Sequence, residues 1–408
     1  MKKMKTNIFD LDRHEGYQST NNILELLKKD TDIEQVVVFP ELANKKIGLP
    51  NGTMIQSKKH IYPFAVPDPG CGYRIILTNL YTSDLTDYKI NILNELVDKN
   101  GLYNRIRENK LKTIDFEKLW RNGINSLEEI DESIFVRKDI PVFSNNIHEE
   151  LSPNEKEEYM DNFALSGSPF LEFRYADNNF SLNEVSIKRN QIIIVIHLGT
   201  LVGKKVISGK YLESSILNTL RYGIYDESDI YKQLFFLDYD SEIGKNYLDF
   251  VNFMINYAYA SRQVSSTILN RFLDVILKKK VEFKLISDLT HSSISRRDSK
   301  IYHARGLQIT SKKNYPLLIG GETNTHSYLV FSKSENIYIS HGTGKYIDSN
   351  KTINLNNSKY SSTVTTNREY YYDKDKETKD VTTSIRGIED RIDILCKLNP
   401  FINYWNDI

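Results

Sequence analysis

Two hydrophobic periods run through the chain. Short β-branched and aromatic runs recur at "EQVVVF" (34–39), "FLEFRYA" (170–176), "QIIIVIHLGT" (191–200) and "EFKLISDLTH" (282–291). Their length and residue types predict strands. The run at 191–200 is apolar without a break and ends at His197 and a glycine turn. "YPLLIGGETNTHSYLVF" and "NIYISHGTGKYID" repeat that plan of strand, glycine turn and polar group. The helical period appears at 20–29, at 84–98 and, most clearly, at 245–279, where it predicts two helices or one bent one. The segment 387–398, "GIEDRIDILCKL", predicts a last helix. The polar stretch 145–160 and the charged stretch 368–380 read as solvated. No internal repeat and no linker divides the chain. The expectation is therefore a single domain over 1–408, of mixed α/β (α+β) class, whose strands deliver polar groups to loops at their ends.

One loop-rich stretch breaks the pattern. "PELANKKIGLPNGTMIQSKKHIYPFAVPDPGCGYRI" holds Gly48, Gly52, Gly70 and Gly72 among several prolines. Punctuation this dense inside an ordered chain marks a site more often than a linker. It ends in "VPDPGCGYR", where Cys71 stands between two glycines and three residues after Asp68. Asp offers a hard oxygen and Cys a soft thiolate. The stretch is either a turn with a buried thiol or half of a metal site.

Composition narrows the field. The 408 residues carry 54 basic and 54 acidic side chains, so a nucleic-acid partner must be held by a local patch. Two cysteines cannot build a disulfide framework and suit a reducing cytoplasm. The charged first residues lack the apolar run of a signal peptide, and no apolar stretch is long enough to span a membrane. The expectation is a cytoplasmic protein with no membrane partner.

Three of the eight histidines follow apolar strand-like runs: His197, His291 and His341. One such histidine is ordinarily structural. Three, joined with Asp68 and Cys71, suit a borderline divalent ion such as Mn²⁺, Zn²⁺, Fe²⁺ or Co²⁺. In "SHGTGKY" (340–346), Gly342 and Gly344 leave room for a phosphate and Lys345 adds charge. The histidine there is a phosphate contact, a nucleophile on phosphorus, or part of a tight turn. "SISRR" (293–297) and "HARG" (303–306) are either solvated charge runs or phosphate contacts.

In their order, these pieces resemble the RtcB-type RNA-splicing ligases, GTP- and manganese-dependent enzymes that join a 3′-phosphate or 2′,3′-cyclic-phosphate RNA end to a 5′-hydroxyl. The family's "DIGCGM" resembles "DPGCGY", its "GTLG-GNHFIEI" resembles "FALSGSPFLEF" (163–173), and its "IHSGSRGLG" resembles "IHLGTLVGK" (196–204). Its "AANFAWANRQ" resembles "NYAYASRQ" (256–263), "DVAHN" resembles "DLTHS" (288–292), "HRKGAT" resembles "HARGLQ" (303–308), and "CHGAGR" resembles "SHGTGK" (340–345). The order holds from about residue 34 to about 400.

The resemblance implies one large ligase domain of mixed sheets surrounded by helices around a metal and nucleotide cleft. It implies that Cys71 bridges one or two Mn²⁺ ions, with His197 and His291 completing one site and Asp68 serving the other. It implies that His341 attacks the α-phosphate of GTP and carries GMP. Ser168, Phe170, Glu172, Gly342, Gly344 and Lys345 would line the nucleotide pocket. The implied partners are RNA ends (tRNA halves or broken RNA), GTP and an accessory activator protein. The chain also departs from the pattern. Pro169 replaces a ligand histidine, Ser168 an asparagine, Leu201 and Lys345 arginines, and Ala43 a histidine; "NPFINYWND" (399–407) lacks the family's last lysine. Two other readings therefore stand beside the ligase. One is a weakened paralogue that binds RNA ends or nucleotide; the other is a metal-dependent phosphodiesterase on cyclic-phosphate ends.

Overall fold

The computed structural model describes residues 4–8, 27–39, 51–97, 122–127, 151–161, 170–182, 185–200, 207–224, 234–321, 326–342 and 390–405, with isolated positions and two short strands, 345–346 and 379–380, between them. The predicted helix at 20–29 and charged loop at 368–380 fall largely outside these residues.

The described strands of four or more residues are, in chain order, β1 (Lys5–Ile8), β2 (Ile33–Val38), β3 (Thr53–Ser57), β4 (Gly72–Tyr81), β5 (Phe170–Ala176), β6 (Gln191–Leu198), β7 (Phe283–Thr290), β8 (Ser292–Arg297), β9 (Lys300–Arg305), β10 (Leu307–Thr310), β11 (Pro316–Ile319), β12 (Ser327–Ser332), β13 (Ile337–Ser340) and β14 (Ile392–Trp405). The helices are α1 (Asp87–Val97), α2 (Pro153–Asp161), α3 (Leu212–Tyr222) and α4 (Glu242–Leu277). A seven-stranded sheet runs β7-β4-β6-β5-β14-β12-β11, antiparallel at every pairing. A five-stranded sheet runs β1-β2-β3-β9-β8, and β10 pairs with β13. The mixed α/β class follows.

The central strand β6 explains the architecture. Every residue from Gln191 to Leu198 is buried. Ile192, Ile194 and Ile196 enter the core that α4 fills, whereas Ile193 and Val195 enter a second core on the opposite face. The unbroken apolar run is thus a strand covered on both sides. His197 continues the odd-numbered face, away from α4.

The stretch at 245–279 folds as one helix, α4, rather than two. Ser241 caps it, its hydroxyl accepting from the Gly244 N–H at 3.1 Å. Its middle is buried all round, as a helix at the centre of a domain must be. The polar stretch at 145–160 holds α2, which begins with a capping box: Ser152 N–H donates to the Glu155 carboxylate at 2.8 Å and Glu155 N–H to Ser152 Oγ at 3.3 Å.

The predicted helix at 387–398 is overturned. Residues from Ile392 onward form β14, paired on one side with β12 and on the other with β5. Ile392, Ile394, Cys396 and Leu398 also carry a period of two, and pairing on both edges decides between the two patterns. A bulge between Ile394 and Cys396 interrupts that alternation, and Pro400 sits at a second register shift, where a strand tolerates proline.

Candidate active site

The antiparallel register brings the candidate ligands together. Tyr73 on β4 and Phe170 on β5 both lie opposite His197 on β6. This places Tyr73, His197 and Phe170 in one row on the face turned away from α4. Cys71 stands just before β4 and shares the parity of Tyr73. His291 follows β7, where its backbone N–H donates to the Cys71 carbonyl at 2.7 Å. Gly72 makes this approach possible: a Cβ there would lie 2.3 Å from the Leu289 carbonyl oxygen.

Cys71 Sγ lies 3.0 Å from His197 Nε2, which lies 3.3 Å from His291 Nε2. One donor atom from each of the three falls within 4.8 Å of the others, and all three residues are buried. An ion bonded at about 2.0–2.3 Å sets neighbouring donors roughly 3.3–3.7 Å apart, close to what these atoms already show. A thiolate with two imidazoles suits a borderline divalent ion. The residues fit one metal ion.

Asp68 lies beside this group and is held from the end of β6. Thr200 donates to its Oδ1 twice, from N–H at 2.9 Å and from the hydroxyl at 3.1 Å. Its Oδ2 fills the place where a side chain of Gly199 would begin, 2.6 Å away. Among the described residues Asp68 belongs to no second three-donor group.

His341 closes the cluster. It follows β13, and its backbone is pinned from two sides: its N–H donates to the Gly306 carbonyl at 2.9 Å and its carbonyl accepts from Gly320 N–H at 2.8 Å. Its ring centroid lies 4.5 Å from that of His291 and 6.2 Å from that of Tyr73. Gly342 (φ 108°) passes so close to Gly320 that a Cβ would meet its carbonyl oxygen at 2.0 Å. The glycine of "SHG" therefore serves a backbone crossing.

On the row behind His197, Phe170 stacks on that imidazole with centroids 4.5 Å apart. Glu172 is 2% exposed; its Oε2 accepts from Arg174 Nε at 2.6 Å, and its Oε1 has no hydrogen-bond partner among the described residues. Burial pushes its carboxyl pKa up, against the opposing pull of Arg174. Ser168 and Gly344 lie outside the described residues, and Lys345 stands in the short strand Lys345–Tyr346.

The reading of "HARG" as a solvated run fails. Arg305 is 4% exposed, donates to the Leu49 carbonyl at 2.6 Å and feels the charge of Asp68. His303 is fully buried and neutral: its Nε2 accepts from Tyr62 N–H at 3.0 Å, and burial depresses its pKa to about 3. It is structural. Arg296 and Arg297, by contrast, are exposed.

Sequence reasoning missed the support behind the site. On the α4 side, Arg262 donates from Nη1 to the carbonyls of Gly70 (2.9 Å) and Leu198 (3.0 Å) and from Nε to Asp288 at 2.7 Å. Those three partners adjoin Cys71, adjoin His197 and precede His291 by three residues. Arg74 donates to the other Asp288 oxygen at 2.8 Å and also to Gln263. The available signal was "RQ" in the middle of an apolar helical run, since a buried arginine must be paired.

The comparisons with known proteins show which family the chain belongs to. The family model "tRNA-splicing ligase RtcB" matches residues 29–382. A tRNA-splicing ligase RtcB of Nanoarchaeum equitans is 22% identical over 406 residues, covering 83% of this chain and 81% of that protein. One of Methanococcus maripaludis is 21% identical, covering 71% and 67%. An RNA-splicing ligase RtcB homolog 1 of Entamoeba dispar is 22% identical, covering 67% and 57%. No described helix is long and apolar enough to cross a membrane. With a family model matched over most of its length, the chain belongs to the RtcB family of tRNA-splicing ligases.

Proposed function

We propose that this chain is an RNA ligase that joins a 3′-phosphate or 2′,3′-cyclic-phosphate RNA end to a 5′-hydroxyl, using GTP and one divalent ion, Mn²⁺ by preference. One observation carries the reading: a pinned histidine, His341, packs against a buried Cys/His/His group in a chain of this family. In the first step a neutral His341 imidazole attacks the α-phosphate of GTP. A P–N bond forms, the P–O bond to the β-phosphate breaks, and pyrophosphate leaves. An oxygen of the RNA 3′-phosphate then attacks the phosphorus on His341, breaking the P–N bond and freeing the imidazole; the 5′-hydroxyl attacks the RNA phosphorus so activated, forming the phosphodiester as GMP leaves, and a cyclic-phosphate end is first opened by water to the 3′-phosphate. Cys71, His197 and His291 would hold the ion, which when bound neutralises phosphate charge.

Phe170 and Glu172 would take the guanine. Glu172 Oε1 is a buried acceptor for the base's N–H donors, and Arg174 holds the other oxygen. Asp68, engaged by Thr200, would steady the turn before Cys71 rather than hold a second ion. RNA ends are the proposed partners, in the cytoplasm, with Lys345 and an accessory activator as further proposed contributors.

Purified protein incubated with α-labelled GTP and Mn²⁺ tests this. The expected result is acid-labile label that His341→Asn abolishes. Absence of label under several divalent ions overturns the ligase. Nucleotide binding without label would then favour the weakened paralogue, and opening of a cyclic-phosphate end without GTP would favour the phosphodiesterase.

A further inference from the structure

The ring of Tyr73 is 3% exposed and stands among all three histidines of the site. Its centroid lies 4.8 Å from that of His291, 5.1 Å from that of His197 and 6.2 Å from that of His341, the last nearly parallel at 19°. It is thus a spacer between the ends of β4, β6 and β7, which bear the metal ligands, and the end of β13, which bears His341. The far side of the spacer is seated on Gly320. A Cβ at residue 320 would lie 2.9 Å from the Tyr73 hydroxyl oxygen and 3.3 Å from Cζ. Contacts under 3 Å between such atoms force something to move.

Gly320 cannot move independently. Its N–H donates to the His341 carbonyl, and it forms a parallel bridge with Gly342. A push at residue 320 is therefore passed by two backbone contacts to His341 itself. Gly320 has no positive φ, so alanine there is opposed by the phenol and not by its own backbone.

We propose that Tyr73 is a positioning residue for His341. Its ring sets the distance between His341 and the metal histidines, and its hydroxyl, occupying the space of the missing residue-320 side chain, fixes the height of the His341 loop. The functional part of this inference rests on the reading of His341 as the group that accepts GMP. The geometric part does not.

The test is a size exchange in the full chain: wild type, Gly320→Ala, and Gly320→Ala combined with Tyr73→Phe. Three readouts are taken. They are the rate of GMP labelling, the rate of diethyl pyrocarbonate acylation of the His341 peptide by mass spectrometry, and the cobalt(II)–thiolate absorption of the Cys71/His197/His291 group. In Gly320→Ala, labelling should fall at least about tenfold, as a small misplacement of a reacting group costs. His341 acylation should change, and the cobalt spectrum should stay as in wild type. Removing the hydroxyl in the double variant should recover most of the labelling and the wild-type acylation rate.

A Gly320→Ala protein that labels and acylates like wild type overturns the proposal. So does a double variant no better than Gly320→Ala alone. If Gly320→Ala does not fold, recovery of folded protein by Tyr73→Phe supports the seat, and failure to recover overturns it. If wild type takes no label, the ligase reading fails, and the acylation rates still decide the role of Tyr73.

Discussion

Replacing Arg262 by methionine removes a side chain that ties all three ligand-bearing strands together. Arg262 is fully buried, with its guanidinium 4.6 Å from the Tyr259 ring. The substitution keeps most of the packing volume and deletes three charge-assisted hydrogen bonds: to Gly70, Leu198 and Asp288. Each is worth about 1.5–3 kcal/mol. They share one donor group and do not add freely, and Asp288 keeps Arg74 at 2.8 Å. The net loss should therefore match the cost of removing one partner from a buried ion pair, about 3–5 kcal/mol. Residues that orient metal ligands carry about 10–100-fold in metal affinity. Arg262→Lys, which keeps charge but cannot reach three directions at once, should fall between. Urea unfolding gives the stability change, and cobalt(II) titration of the folded protein gives the affinity. A loss below about 1 kcal/mol with unchanged affinity would refute the view that this arginine organises the site.

Cys71→Ser should abolish the cobalt–thiolate absorption and cost more than the roughly 100-fold that supporting residues reach, as read by metal titration. His303 links folding to pH: its folded pKa of about 3 lies below the ordinary 6.5, so the unfolded chain binds the extra proton between those values. Its contribution is complete above pH 6.5 and declines as pH falls toward 3, by up to about 1.4 kcal/mol per pH unit. His303→Gln should flatten the pH dependence of urea unfolding by up to one proton, whereas parallel curves would count against a buried neutral imidazole. Glu172→Gln, which replaces a carboxylate acceptor by an amide, should weaken the preference for GTP over ATP by roughly tenfold in a competition assay; unchanged selectivity would remove Glu172 from the guanine pocket.

Much of the site was legible because strands carry their ligands at fixed parity. The runs before His197, His291 and His341 each form a strand, and the register of β4 against β6 delivers Cys71 to His197. The helix expected at 387–398 failed because its apolar residues satisfy both periods, and only pairing with β5 and β12 chooses between them. Arg305 was left between a solvated charge and a phosphate contact for a different reason. Charge in a sequence run reports polarity and not burial, and its environment is made by Leu49 and Asp68, far away in the chain. Tyr73 looked like one aromatic among 26 tyrosines; its role depends on Gly320, which no local pattern connects to it.

The most direct measurement is anomalous diffraction from a crystal grown with Mn²⁺. The account predicts a single strong peak bonded to Cys71 Sγ, His197 Nε2 and His291 Nε2, adjacent to the His341 ring, with none at Asp68. A peak elsewhere, or a second ion of equal strength on Asp68, would contradict it.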